Sequence, residues 1–215
     1  MQPFRTLAGL AAPLPRANLD TDVIIRIERL TTVPRDQLGV HAFEAIRYLA
    51  DGSPDPAFLP AQPEFSGAPI LVSGANFGCG SSRESAVWAL QSMGYRCIIA
   101  PSFGSIFYNN CFQNGILPLI LDEALVSELM NLARHAIPFK VDLQHKVVEA
   151  GDRRWSFDID PLRREMLLQG LDEIGGTLLE DNQIRAWQAA DRQRRPWVWD
   201  LSEANADSGS GVKSC

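Results

Sequence analysis

The chain predicts an α/β fold with a mixed, mostly parallel sheet flanked by helices. Three observations carry that prediction. Short apolar runs at residues 70–72, 96–100 and 116–121 alternate with helical patterns, as parallel strands joined by right-handed crossovers do. The first run leads into GANFGCGSSRE (residues 74–84), glycines before a helix start, an arrangement that presents backbone N–H groups to an anion. Residues 139–143, 146–150 and 154–157 then read as short antiparallel strands, with turns at Gln144-His145 and Gly151-Asp152.

Residues 1–15 hold one arginine and scattered alanines, without the apolar core and cleavage site of a secretory signal. Residues 13–18 read as a loop. Asp20, Thr21 and Asp22 follow as turn and capping residues before a β-rich run at 23–27. Leu38, His41, Ala42, Ala45, Ile46 and Leu49 are spaced as a helix across residues 34–50, and the proline- and glycine-rich residues 51–67 make a surface excursion.

After the first buried strand, Ser81 and Glu84 form an S-x-x-E capping box that places Ser81, Ser82 and Arg83 in the first turn of a helix. Ala86, Val87, Leu90 and Met93 form its apolar stripe, and Gly94 ends it. Pro101 to Gly104 turn the chain into a helix through Ile106, Phe107, Asn110, Cys111 and Phe112, closing at Asn114 and Gly115. Residues 122–135, 161–170 and 177–190 are also helical. One domain is expected over residues 1–200, and a disordered tail of small polar residues over 201–215.

With 215 residues, 46% of them hydrophobic and 21% charged, the chain can bury a full core. A formal charge of −6 without a basic run argues against nucleic acid or an anionic membrane as partner, and no run reaches transmembrane length. A cytoplasmic protein is expected. Cys79, Cys97, Cys111 and Cys215 contain no C-x-x-C pair, which disfavours a zinc or iron-sulfur site built by this chain alone. The glycine-rich stretch lacks Gly-Lys-Ser/Thr, a third dinucleotide-type glycine and the G-x-S-x-G elbow, so nucleotide P-loop, dinucleotide fingerprint and hydrolase readings fall away.

Two readings of that stretch remain from its residues. Ser81 is only a helix cap and Arg83 only a solvated side chain, or the helix N-terminus and the guanidinium together bind a carboxylate and stabilise a serine alkoxide.

Four ordered blocks carry a resemblance that decides between them. NLDTDVII (residues 18–25), NFGCGSSRE (76–84), IIAPSFGSIFYNNCFQNGILPL (98–119) and RREMLLQGLDEIGGTL (163–178) resemble the small subunits of 3-isopropylmalate dehydratase, the detached swivelling domain of the aconitase superfamily. The resemblance implies a swivelling β/β/α domain and a large-subunit partner carrying a four-iron four-sulfur (4Fe-4S) cluster, in a heterodimer or larger complex. It implies a hydro-lyase that isomerises 2- and 3-isopropylmalate in leucine biosynthesis, with the partner's open iron acting as Lewis acid on the leaving hydroxyl. It also implies roles. Ser81 is the catalytic base, Ser82 and Arg83 bind substrate carboxylate beside Gly80, and Asp22 lies in the same site, next to Asp20 and Thr21.

Residues 26–32 depart from the family's pattern where it reads the substrate's side group. Arg26, Glu28 and Arg29 put charge there, and Arg29 is taken as a substrate contact. A paralogous hydro-lyase acting on citraconate, homoaconitate or a methylated maleate is the alternative, as is a non-catalytic carboxylate-binding subunit. The residue after GSSRE, a histidine in the family, is Ser85.

Overall fold

The computed structural model describes residues 1–80 and 83–199. It contains two four-stranded sheets, one parallel and one antiparallel. The α/β swivelling class therefore stands, while the strands read as one mixed sheet divide between two.

The chain divides into two compact units, Met1–Asp172 and Glu173–Cys215. The boundary falls inside the expected domain of residues 1–200. The expected tail, with Cys215, lies outside the described residues.

In the first unit, β1 (Thr6–Gly9) and β2 (Ala11–Leu14) come first. Two short helical turns follow, α1 (Thr21–Ile24) and α2 (Ile27–Leu30), then a 3-10 turn at Arg35–His41 and α3 (Glu44–Arg47). The crossover region runs β3 (Ile70–Ser73), α4 (Glu84–Ser92), β4 (Cys97–Ala100), α5 (Ser105–Gln113), β5 (Leu117–Ile120) and α6 (Glu123–Arg134). β6 (Phe139–Asp142), β7 (Val147–Ala150), β8 (Arg153–Ser156) and α7 (Pro161–Gln169) complete the unit. The second unit holds α8 (Glu173–Leu179), α9 (Asp181–Arg194) and α10 (Pro196–Trp199), so the helix expected at 177–190 breaks at Glu180.

The parallel sheet has the order β2-β3-β4-β5 and the antiparallel sheet β1-β6-β7-β8. Pro13 and Pro118 fall on β2 and β5, the two edges of the parallel sheet, where a missing N–H breaks no ladder. The strand period of two sends alternate residues to opposite faces. Leu14, Leu71, Ile98 and Ala100 pack with Ala86, Val87 and Leu90 of α4 and Phe107 of α5. Ile70, Val72, Ile99, Leu117 and Leu119 pack instead with Val126, Leu129 and Met130 of α6 and with Phe139, Val141 and Val148 of the antiparallel sheet. The parallel sheet is thus buried on both sides, which is why its strands read as continuous apolar runs. Each fully buried Leu, Ile or Phe contributes about 1.5–3 kcal/mol of transfer free energy.

Three local expectations change. Residues 6–14 form β1 and β2 although they lack β-branched and aromatic side chains apart from Thr6; pairing with β6 and β3 overrides their weak propensity. The expected strand at 23–27 is a helical turn and the start of a second. Asp20 caps α1, its Oδ1 accepting from the amide of Asp22 at 2.7 Å, and this local chemistry outweighs three β-branched residues. Residues 34–50, read as one helix, are the 3-10 turn and α3, separated at Phe43 with φ +62°.

Candidate functional site

Each of three loops extends a parallel strand past its carboxyl end, and together they continue the sheet order. The main chain of residues 16–21 runs beside residues 74–79. The Gly74 amide donates to Arg16 O (3.1 Å), Asn18 to Ala75 O (2.8 Å), Gly78 to Leu19 O (2.8 Å) and Thr21 to Cys79 O (3.0 Å). On the other flank the Phe77 amide donates to Ser102 O (3.0 Å) and Gly104 to Phe77 O (2.9 Å). The first three sequence blocks are therefore adjacent in space, at the end of an α/β sheet where ligands characteristically bind.

Aromatic packing fixes the middle loop from below. Phe77, Phe103 and Phe107 form a cluster with ring centroids 5.4–6.4 Å apart. Gly78 (φ +69°) lies on the Phe107 ring, and a Cβ there would come within 2.3 Å of it. Gly80 (φ +87°) presses against Asp20, and a Cβ would meet Asp20 Oδ2 at 2.1 Å. Both positions require glycine for conformation and for space.

Arg83 joins the loops. Its Nη2 lies 3.1 Å from Asp22 Oδ1, with the aspartate side chain 58% exposed. A pair so open to water contributes at most about 1 kcal/mol, so a substrate carboxylate could displace Asp22 at little cost. The arginine stands at the N-cap of α4 with extended backbone (φ −87°, ψ 142°), immediately before the helix and not within its first turn. Glu84, one member of the expected capping box, opens α4, and its Oε1 accepts from Asn114 Nδ2 at 2.9 Å. Ser81 and Ser82 lie outside the described residues.

The structure thus brings Asp20, Asp22, Gly80 and Arg83 together. Thr21 is buried; its Oγ1 has no hydrogen-bond partner among the described residues, and its amide donates to Cys79 O. Arg29, expected as a substrate contact, is paired with Glu44. Its Nε and Nη2 donate to Glu44 Oε2 and Oε1 at 2.9 and 3.0 Å, a bidentate pair that ties α2 to α3 and uses the guanidinium fork. His41 Nδ1 lies 2.6 Å from the same Glu44 Oε1. Burial raises the Glu44 pKa, but the bonds from His41 and Arg29 outweigh it and hold the carboxyl below its ordinary range.

Sequence reasoning missed an apolar cavity of about 310 Å³ beside Arg83. Leu30, Val33, Leu38 and Trp88 provide its apolar lining, with Arg35, Arg83, Glu84 and Ser85 also on its wall. Ser85 is buried, and its Oγ has no hydrogen-bond partner among the described residues. Arg26 and Glu28 are exposed, and Arg29 is paired with Glu44. The charges of residues 26–29 are therefore accounted for outside the lining, and the helical turn of α2 carries Leu30 into it. Leu30 and Val33 at i and i+3 were the available signal, hidden by a strand reading of the preceding residues.

Among the described residues, no helix is long and apolar enough to cross a membrane, and no three His, Cys, Asp or Glu side chains are grouped to hold a metal ion.

Comparison with known proteins agrees with this architecture. The model of the aconitase C-terminal domain family matches residues 1–124, more than half of the chain. The 3-isopropylmalate dehydratase small subunit of Cupriavidus necator is 49% identical over 204 residues, covering 92% of this chain and 98% of its own. That of Teredinibacter turnerae is 44% identical over 210 residues, covering 93% and 98%. The crystal structure of 3-isopropylmalate dehydratase from Methanocaldococcus jannaschii superposes with a TM-score of 0.62 at 27% identity, covering 85% of this chain and 99% of that one. With this identity over nearly full length on both sides, the chain belongs to the 3-isopropylmalate dehydratase small subunits, within the aconitase C-terminal domain family.

Proposed function

We propose that the chain is the small subunit of a 3-isopropylmalate dehydratase, interconverting 2- and 3-isopropylmalate by dehydration and rehydration in leucine biosynthesis. The observation that carries the substrate assignment is the apolar cavity beside Arg83. A carboxylate-binding guanidinium next to a pocket of Leu30, Val33, Leu38 and Trp88 matches a malate that bears a branched alkyl group.

In this reading Arg83 exchanges Asp22 for a substrate carboxylate, Ser82 adds a hydroxyl contact, and the isopropyl group enters the cavity. Ser81 removes the proton from the carbon next to that carboxylate. Serine is a weak base in water, and the positive end of α4 with the Arg83 charge lowers the cost of its alkoxide. Gly80 and Asp20 hold the loop in position, and Asp22, released from Arg83, remains in the site. The reading places the 4Fe-4S cluster on a large-subunit partner in a heterodimer or larger cytoplasmic complex. The described residues of this chain do not fit such a group.

Anaerobic co-purification of the tagged chain from its own cells, followed by alkene absorbance with each isomer, tests the assignment. An iron-containing large chain should co-elute and both isomers should react. An intact iron-containing complex inert toward both, yet active with citraconate or another small dicarboxylate, would overturn the substrate.

A further inference from the structure

Asn114 sits at the C-terminal end of α5, 6% exposed, and uses its whole carboxamide. Its Oδ1 accepts from Arg35 Nη2 at 2.6 Å and from Trp88 Nε1 at 3.1 Å. Its Nδ2 donates to Glu84 Oε1 at 2.9 Å and to Asn110 O at 2.9 Å. The orientation of the amide is unambiguous, because arginine and indole only donate, whereas a carboxylate and a backbone carbonyl accept. Three of these four partners, Arg35, Glu84 and Trp88, line the cavity beside Arg83. They come from two different elements, the 3-10 turn at Arg35–His41 and the first turns of α4.

We propose that Asn114 is a positioning residue for substrate binding, a buried clamp that holds the cavity wall and the start of α4 in register with Arg83. The inference rests on the functional reading above and extends it to a residue that does not line the cavity. Arg35 needs such a clamp most. The residue is exposed, its guanidinium lies 4.4 Å from the Trp88 ring centroid, and the bond to Asn114 directs it there. Glu84 follows Arg83 directly, so a shift of its carboxylate moves the N-cap that carries the substrate-binding guanidinium. Without the clamp, the chemistry of the proton transfer is untouched but the substrate is held less well.

The test uses the anaerobic complex with its large subunit and measures kcat and KM for 3-isopropylmalate. Asn114→Asp keeps the acceptor toward Arg35 and Trp88 but sets a second carboxylate against Glu84. KM should rise about 10-fold, as loss of a buried charge-assisted hydrogen bond implies, with kcat within about 2-fold of wild type. Adding Glu84→Gln supplies an amide donor to the new carboxylate, reversing the polarity of the lost bond, and should return most of the KM. A merely structural role would lower the melting temperature and leave KM unchanged; that result, or a double variant no better than the single one, overturns the proposal. Should Asn114→Asp fail to assemble, the isosteric Glu84→Gln alone takes the charge from the bond that Asn114 Nδ2 donates and should raise KM about 3-fold, whereas an unchanged KM overturns the proposal equally. Turnover by the wild-type complex tests the functional reading, and the variant-to-wild-type ratio tests the clamp, so each fails by its own number.

Discussion

In the proposed mechanism Ser81 and Arg83 bear the chemical demand of the reaction, with one residue between them in sequence. Arg83 is held by an exposed aspartate rather than a buried one, which leaves it available to a better carboxylate. Ser81→Ala in the intact complex should lose roughly 100-fold or more in kcat while binding substrate near normally, the usual signature of a missing general base. Single-turnover alkene formation measures this directly, and near-normal turnover would remove Ser81 from the mechanism. That role is proposed from the GSSRE block together with the resemblance. The pairing of Arg83 with Asp22 was not legible in the sequence, because the two lie sixty-one positions apart and nothing local encodes the contact.

At the scale of elements, the site depends on how loops are pinned to strand ends. The elements the sequence makes plain are those with a continuous apolar pattern: β3, β4, β5 and the helices between them. Those it obscures are short. β1 and β2 lack β-branched and aromatic residues apart from Thr6, and α1 depends on a single cap at Asp20, whose side-chain bond outweighs β-branched propensity. Gly80→Ala should destabilise the subunit by about 1–3 kcal/mol, since the backbone is left-handed and the added methyl meets the Asp20 carboxylate. Denaturant unfolding would register it, and activity should fall further than stability because Arg83 is three residues on.

The Arg29–Glu44–His41 group makes a second element-scale prediction. The folded pKa of Glu44 is depressed, so its contribution to stability is fully present above the ordinary carboxylate pKa and is lost as pH falls through the folded value. Arg29→Met should therefore cost about 1 kcal/mol at neutral pH and progressively less below about pH 4. A penalty independent of pH, read from urea midpoints across that range, would mean that packing of the arginine stem is what matters.

Across the whole molecule, two sheets and their helices bring together blocks separated by up to some eighty residues in sequence. The αβ alternation and the four motif blocks made the class of fold and the chemistry readable. The division of the strands between two sheets was not readable, because nothing in the antiparallel residues 139–157 says which edge they join. The cavity depended on the same long-range assembly. Leu30 and Val33 come from one segment, Leu38 from another and Trp88 from α4, and only the fold makes them one surface.

That cavity is also where the assignment is most exposed to test. The most direct measurement compares kcat/KM of the wild-type complex for 3-isopropylmalate and for 3-methylmalate under anaerobic conditions. A pocket that reads the isopropyl group predicts a preference of at least about 10-fold for 3-isopropylmalate, since even one methylene in an apolar pocket is worth that much. Equal rates, or a preference for the methyl compound, would contradict the account and give the same scaffold to a different small dicarboxylate.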